Sequence, residues 1–117
     1  MTMIVPNWKA PSRVKAFAST RVGGFSKNEY QGLNLGTHVG DDSSLVQKNR
    51  EWLQQASSMP NSPVWLNQTH SVDVVEVYTS TNQVLNADGV FTAQTGVVCS
   101  AMTADCLPVL LTNVQGT

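Results

Sequence analysis

An apolar segment at residues 96–113 reads GVVCSAMTADCLPVLLTN. It contains two apolar runs, residues 96–102 and 107–113, on either side of a short polar interruption. Continuous apolar runs, in place of strict alternation, are typical of strands that are buried on both faces of a sheet. Pro108 lies near the start of the second run, where a missing amide is tolerated. The segment therefore predicts two inner strands.

Working back from this segment, further strands are predicted at residues 14–19, 64–67 and 72–78. In the last of these, Val72, Val74 and Val77 alternate with acidic residues, and Val75 breaks the alternation, which suggests a bulge. Residues 86–89 are typical of a turn.

One helix is predicted at residues 43–57, capped by Asp42 or Ser43. Apolar residues recur on one stripe at helical spacing, which predicts a buried face that includes Trp52: Leu45, Val46, Trp52, Leu53 and Ala56. The segment before the helix, residues 20–42, is rich in Gly, Asn and Ser. Long irregular segments of this kind tend to be functional or disordered.

Composition excludes several classes of protein. Charged residues make up 13% of the 117 residues, against about 25% in an ordinary domain. All seven basic residues lie at or before Arg50, so no basic stripe exists to hold a nucleic-acid backbone. No apolar run approaches the length of a membrane span, and the N-terminus does not resemble a signal peptide. We therefore expect a cytoplasmic protein with reduced thiols and no nucleic-acid or membrane partner.

The polar interruption between the two apolar runs contains candidate metal-binding or catalytic residues. Asp105 and Cys106 lie between the two predicted inner strands, and His70 follows the strand at residues 64–67. Imidazole and thiolate together suit zinc, but two ligands are too few, and a separation of 36 positions in the sequence is no local metal motif. Cys106 could instead be a nucleophile activated by a histidine, or a buried cysteine without a role. Cys99, inside an apolar run, fits the packing role better.

Two loops add candidates for binding. Arg21, Gly23 and Gly24 combine a planar guanidinium with backbone that can approach a ligand closely, which suits an anion. A plain glycine turn with a surface arginine explains the same pattern. His38, between two glycines, could shuttle protons or bind a ligand, or merely hydrogen-bond its own loop.

Four segments resemble, in order, the motifs of one bacterial family, the YfiH-like or laccase-domain (polyphenol oxidase) family, which is described as purine nucleoside phosphorylase. They are STRVGG at residues 19–24, NLGTHVGD at 34–41, WLNQTH at 65–70 and MTADCLP at 102–108. The resemblance implies an α/β (α+β) fold, a mixed-sheet sandwich related to a bacterial cytotoxic-necrotizing-factor-like domain. It also implies that residues 1–117 are the N-terminal part of a single domain about twice this length.

The resemblance further implies a zinc ion held by His70, Cys106 and a histidine beyond this sequence. The implied activities are phosphorolysis of adenosine, inosine and methylthioadenosine, and deamination of adenosine, with phosphate and a purine nucleoside as ligands. Arg21, Gly23 and Gly24 are then candidates to hold phosphate, and Asp105 and His38 to move protons or contact substrate.

Other functions stay open at this point. A copper-type phenol oxidase would need many histidines, and this sequence has two. A cysteine hydrolase, including one that edits cell-wall precursors, would use Cys106 as its nucleophile. A binding or folding module without activity is the third of these alternatives.

Overall fold

The chain divides into two units, one ending at Ser57 and the other beginning at Ser58. The computed structural model of the chain describes residues 3–37, 40–103, 108–113 and 115. Both helix and strands are present, and the strands pair in parallel as well as antiparallel. The predicted mixed α/β class is therefore confirmed. No helix in these described residues is long and apolar enough to cross a bilayer.

The first unit consists of one strand pair, a 3-10 turn and one long helix. Strand β1 (Met3–Ile4) pairs antiparallel with β2 (Ala18–Ser19), which occupies only the end of the strand predicted at residues 14–19. A 3-10 helix spans Asn28–Tyr30, and helix α1 spans Ser43–Ala56.

Helix α1 forms where the sequence predicts it and ends one residue earlier. The side chain of Asp42 accepts a hydrogen bond of 2.8 Å from the Ser44 amide, which caps the first turn. Val46 and Leu53 are buried, but Trp52 is only half-buried, and Ala56 is exposed. Asn49, a polar residue that the apolar stripe does not predict, is fully buried on this face.

The second unit is built from short parallel strand pairs. Its strands are β3 (Pro63–Val64), β4 (Leu66–Asn67), β5 (Val74–Glu76), β6 (Leu85–Asn86), β7 (Gly89–Phe91) and β8 (Val98–Cys99). Strand β3 pairs with β8, β4 with β6, and β5 with β7. The strand predicted at residues 64–67 is interrupted at Trp65 because the chain changes partner there, from β8 to β6. Val64, Leu66, Val77 and Ala87 form the buried core.

Three details of the predicted strands are wrong. No bulge occurs at Val75, since residues 74–76 of β5 pair one to one with residues 89–91 of β7. The inner strand predicted at residues 96–102 shortens to β8. The strand predicted at residues 107–113 is absent from the described part of that range, residues 108–113, where Val109 is 72% and Leu111 89% exposed. These apolar side chains have no covering layer among the described residues, so the expected burial on both faces does not occur.

Candidate metal centre and anion-binding loop

The loop that carries His70 is held by the carboxylate of Asp88. Asp88 Oδ2 accepts hydrogen bonds from the Thr69 amide (3.2 Å), the Ser71 amide (2.7 Å) and the Ser71 hydroxyl (2.7 Å). Asp88 Oδ1 accepts one from the His70 amide (2.9 Å). Three successive amides thus point at one side chain from a residue 17 to 19 positions away, which fixes the backbone of the loop.

These donors keep Asp88 ionised. The hydrogen bond from the Ser71 hydroxyl, followed by the bonds from the loop amides, lowers the pKa of Asp88 from 3.8 to about 2. His70 has a backbone φ of 61°, in the left-handed region, and its side chain is exposed. The site therefore presents an accessible imidazole on a backbone whose unusual conformation is stabilised by a charged partner.

A second contact joins this loop to the segment that precedes Asp105 and Cys106. The Gln68 side chain donates from Nε2 to the Met102 carbonyl (2.9 Å) and accepts at Oε1 from the Met102 amide (2.7 Å). One amide side chain thus satisfies both backbone groups of Met102, in the way that a neighbouring strand would. The pairing of β3 with β8 brings the same two segments together. The Ser100 hydroxyl donates a hydrogen bond of 2.8 Å to the Val64 carbonyl.

Three predicted site residues lie outside the described residues, namely His38, Asp105 and Cys106. Within residues 3–37, 40–103, 108–113 and 115, no group of three or more metal-ligating side chains comes together. Cys99 is a free, half-buried thiol, and burial raises its pKa. It therefore stays protonated near neutral pH, as a packing residue would.

The predicted anion-binding loop forms an open cavity in the first unit. The cavity has a volume of about 580 Å³ and is lined by Arg21, Val22, Gly23, Gly24, Ser26, Gln31 and Gly32. Glycines shape it through close backbone approaches. A Cβ atom at Gly32 would lie 1.8 Å from the Arg21 carbonyl oxygen, and φ there is +113°. That approach allows the Leu33 amide to donate to the same carbonyl at 2.9 Å. Arg21, Gly23 and Gly24 therefore share one concave surface, and the binding of an anion there stays a prediction.

A polar network adjoins this cavity through Ser26, one of its lining residues. Asn49 in helix α1 accepts from the Phe25 amide (2.7 Å) and donates to the Ser26 hydroxyl (2.8 Å) and the Asn34 carbonyl (2.8 Å). The Ser26 hydroxyl in turn donates to Asp41 Oδ2 (2.5 Å), and this bond lowers the pKa of Asp41. Ser26 is buried, and its hydroxyl proton is donated to Asp41.

Comparison with known proteins assigns the family. The model of the family described as multi-copper polyphenol oxidoreductase laccase matches residues 15–117. The chain belongs to this family. Purine nucleoside phosphorylase YfiH of Escherichia coli is 45% identical over 115 residues, which cover 98% of this chain and 47% of that protein. A purine nucleoside phosphorylase of Haemophilus influenzae is 47% identical over 116 residues, which cover 99% of this chain and 47% of that protein.

Solved structures of the family share the fold. A crystal structure of a Neisseria meningitidis protein superposes with a TM-score of 0.80 at 43% identity, covering 89% of this chain and 42% of that one. The structure of YlmD from Geobacillus stearothermophilus gives a TM-score of 0.73 at 32% identity, covering 79% and 38%. The chain spans about half the length of the family members that it matches.

Sequence reasoning missed three residues that organise these sites, namely Gln68, Asp88 and Asn49. Gln68 lies inside the segment that carries the family resemblance, yet only its neighbour His70 is singled out by residue type. Asp88 lies in the stretch predicted as a turn, and a turn explains an Asp-Gly pair without any distant partner. Asn49 could have been found as a polar interruption between Val46 and Leu53 on the apolar stripe.

Proposed function

We propose that this chain forms part of a zinc-dependent purine nucleoside phosphorylase in which His70 and Cys106 are zinc ligands. The observation that carries the proposal is the pair of hydrogen bonds between Gln68 and Met102. Gln68 is two residues before His70, and Met102 is four residues before Cys106. The names of the relatives from Escherichia coli and Haemophilus influenzae support the reaction.

The donor set fits zinc. An exposed imidazole and a thiolate are ligands that zinc accepts at about 2.0–2.3 Å, and a catalytic zinc site takes three protein ligands. The third ligand is proposed to be a histidine outside the 117 residues, in a parent domain about twice this length. When bound, zinc lowers the pKa of a water molecule toward 7, which would serve the deamination of adenosine proposed as a second activity.

The phosphorylase reaction requires a held phosphate. In phosphorolysis a phosphate oxygen bonds to the anomeric carbon of the ribose, the bond from that carbon to the purine nitrogen breaks, and the purine leaves with a proton. Arg21 supports phosphate binding because its guanidinium is always charged and matches the geometry of phosphate oxygens. Gly23 and Gly24, with φ of 94° and 82°, line the cavity beside it. Positioning of this kind supplies much of the rate.

The remaining roles complete the proposal. Asp105 and His38 are proposed to move protons or contact the substrate. Adenosine, inosine and methylthioadenosine are the proposed nucleosides, and the cytoplasm is the proposed location.

The test uses the parent protein that contains residues 1–117. We expect phosphate-dependent release of adenine from adenosine, and loss of bound zinc and of this activity in Cys106→Ala. The matched control is Cys99→Ala, which removes the other thiol and should keep both properties. A parent protein that binds zinc and leaves every purine nucleoside unchanged would contradict the proposal.

Copper is the alternative metal, because the family description names multi-copper polyphenol oxidoreductases. Thiolate and imidazole bind either metal, and affinity alone favours copper over zinc. Elemental analysis of parent protein purified without added metal separates the two. Copper at one or more equivalents, together with oxidation of a phenol, would replace the zinc proposal.

A further inference from the structure

Asp88 is the side chain that holds the His70 loop, and its own position is fixed by the strand pair behind it. The amides of Asp88 and Gly89 both donate to the Asp73 carbonyl, at 3.0 and 3.2 Å. The next residues enter the pairing of β5 with β7, which begins at Val74 and Gly89. A Cβ atom at Gly89 would lie 3.1 Å from a methyl group of Val74, so the two strands approach closely at this point.

The hydrogen bonds of Asp88 leave little room for any other role of its carboxylate. Oδ2 accepts three hydrogen bonds and Oδ1 accepts one, all from the loop at residues 69–71. A carboxylate that also bound a metal ion would have to give up some of these donors. The hydrogen bonds thus assign Asp88 to the backbone of the loop, whereas the side chain of His70 in the same loop is exposed.

The conformation of His70 explains why such a partner is needed. A φ of 61° is disfavoured for any residue with a Cβ atom, and it persists only where the surroundings impose it. The amides of Thr69, His70 and Ser71 can converge on one carboxylate because the backbone turns in this way. Asp88 therefore stabilises the backbone conformation from which the His70 side chain extends.

We propose that Asp88 is a positioning residue that orients His70 for metal binding by holding the three successive amides of residues 69–71. The inference rests on the proposed function, in which His70 is a zinc ligand. Asp88 does not contact the metal. It acts by reducing the number of conformations that the loop can adopt, so that less conformational entropy is lost when the ion binds.

The experiment measures zinc affinity of the parent protein by competition with a chromophoric chelator. Asp88→Asn keeps the size of the side chain and replaces one acceptor oxygen with a donor group that faces the loop amides. We expect zinc affinity to fall roughly 10- to 100-fold, the range found when groups that orient metal ligands are removed. Asp73→Asn removes the same charge from an exposed neighbour and serves as the control, with affinity unchanged.

A merely structural role is distinguished by two further measurements. Cobalt-loaded Asp88→Asn should show a changed visible absorption spectrum, because the ligand geometry changes. Hydrogen exchange at the amides of residues 69–71 should accelerate while exchange in α1 stays the same. Ser71→Ala, which removes only the hydroxyl donor, provides a milder variant should Asp88→Asn fail to fold, and it should weaken zinc binding less.

Each outcome bears on the inference. Unchanged zinc affinity in both variants overturns it, and so does lower affinity with an unchanged cobalt spectrum and unchanged loop exchange. A parent protein that binds no zinc overturns the inference together with the proposed function. Intact zinc binding without nucleoside cleavage overturns the proposed reaction and leaves the positioning role supported.

Discussion

Gln68 and Met102 are joined by two hydrogen bonds, of 2.9 and 2.7 Å, in which one side-chain amide pairs with both backbone groups of a residue 34 positions away. Neither group of Met102 belongs to a strand of the described structure, so the side chain replaces a missing backbone partner. The pair fixes the chain that leads to Asp105 and Cys106 beside the loop that carries His70. A glutamine thus connects two segments that supply different ligands in the proposed metal site.

The first prediction concerns this pair. Gln68→Leu removes both hydrogen bonds and leaves the part-buried amide and carbonyl of Met102 without them. We expect zinc affinity of the parent protein to fall about tenfold or more, measured by chelator competition. Gln68→Glu keeps an acceptor for the Met102 amide, so its zinc affinity should lie between that of Gln68→Leu and that of the unmodified protein.

The control for Gln68 is Gln83→Leu, which changes an exposed glutamine in the same unit. Its zinc affinity should match that of the unmodified protein. Equal affinity in Gln68→Leu would show that the Met102 contact has no part in metal binding.

The second prediction is a pH dependence. The pKa of Asp88 is about 2 in the folded chain, below its ordinary value of 3.8, so folding favours the ionised form. Its contribution to stability is fully present above about pH 4 and is lost as pH falls toward 2. The stability difference between the unmodified protein and Asp88→Asn should therefore be constant from pH 5 to 8 and shrink below pH 4, as measured by urea unfolding at each pH. A difference that grows on acidification would contradict the assignment.

The third prediction concerns the cavity beside Arg21. Arg21→Gln keeps much of the side-chain length and removes the charge, so the KM for phosphate should rise roughly 10- to 100-fold, as expected for loss of a charge-assisted bidentate contact. The KM for the nucleoside should change little. Initial rates at varied phosphate concentration measure this, with Lys15→Gln as the control for loss of one exposed positive charge. An unchanged phosphate KM would exclude Arg21 as the phosphate ligand.

The fourth prediction concerns the network of Asn49, which adjoins that cavity through Ser26. Asn49→Ala leaves the Phe25 amide, the Ser26 hydroxyl and the Asn34 carbonyl without their shared partner. A buried group left unsatisfied costs about 1–3 kcal/mol. Because the contacts with Phe25 and Asn34 are only part-buried and Ser26 keeps its bond to Asp41, the free energy of unfolding should fall by about 1–3 kcal/mol in total. Gln55→Ala on the exposed face of α1 should change it by less than about 0.5 kcal/mol. Urea unfolding of the parent protein gives both values, and equal stability of the two variants would show that the network contributes little.

Helix α1 and the loop of Arg21, Gly23 and Gly24 show which features local sequence patterns can predict. Asp42 caps α1 because a carboxylate before a run of helical residues can reach the free amides of the first turn, and this needs no distant partner. Arg21, Gly23 and Gly24 lie on one cavity because glycines permit the left-handed backbone of that loop. The cap and the left-handed glycines depend on nearby residues in the chain, so the sequence can indicate them. That Arg21, Gly23 and Gly24 bind an anion stays a prediction.

The apolar run at residues 107–113 shows where such patterns fail. Apolar composition predicts burial, but burial needs a covering layer, and the described side chains of Val109 and Leu111 have none in this structure. The interruption of the predicted strand at Trp65 has a similar origin, because it depends on which strands pair with residues on each side of it.

From the sequence alone, local spacing predicts helix α1 and a mixture of helix and strands, and residue types indicate a metal and an anion. The family follows from the resemblance of four motifs. Only the tertiary structure decided that Asp88 holds the amides around His70, that Gln68 pairs with Met102, and that Asn49 supports the loop after Arg21. These contacts join residues 15 to 34 positions apart. Hydrogen bonds between residues this far apart in the sequence depend on how the segments pack, and no local preference of the residues specifies them.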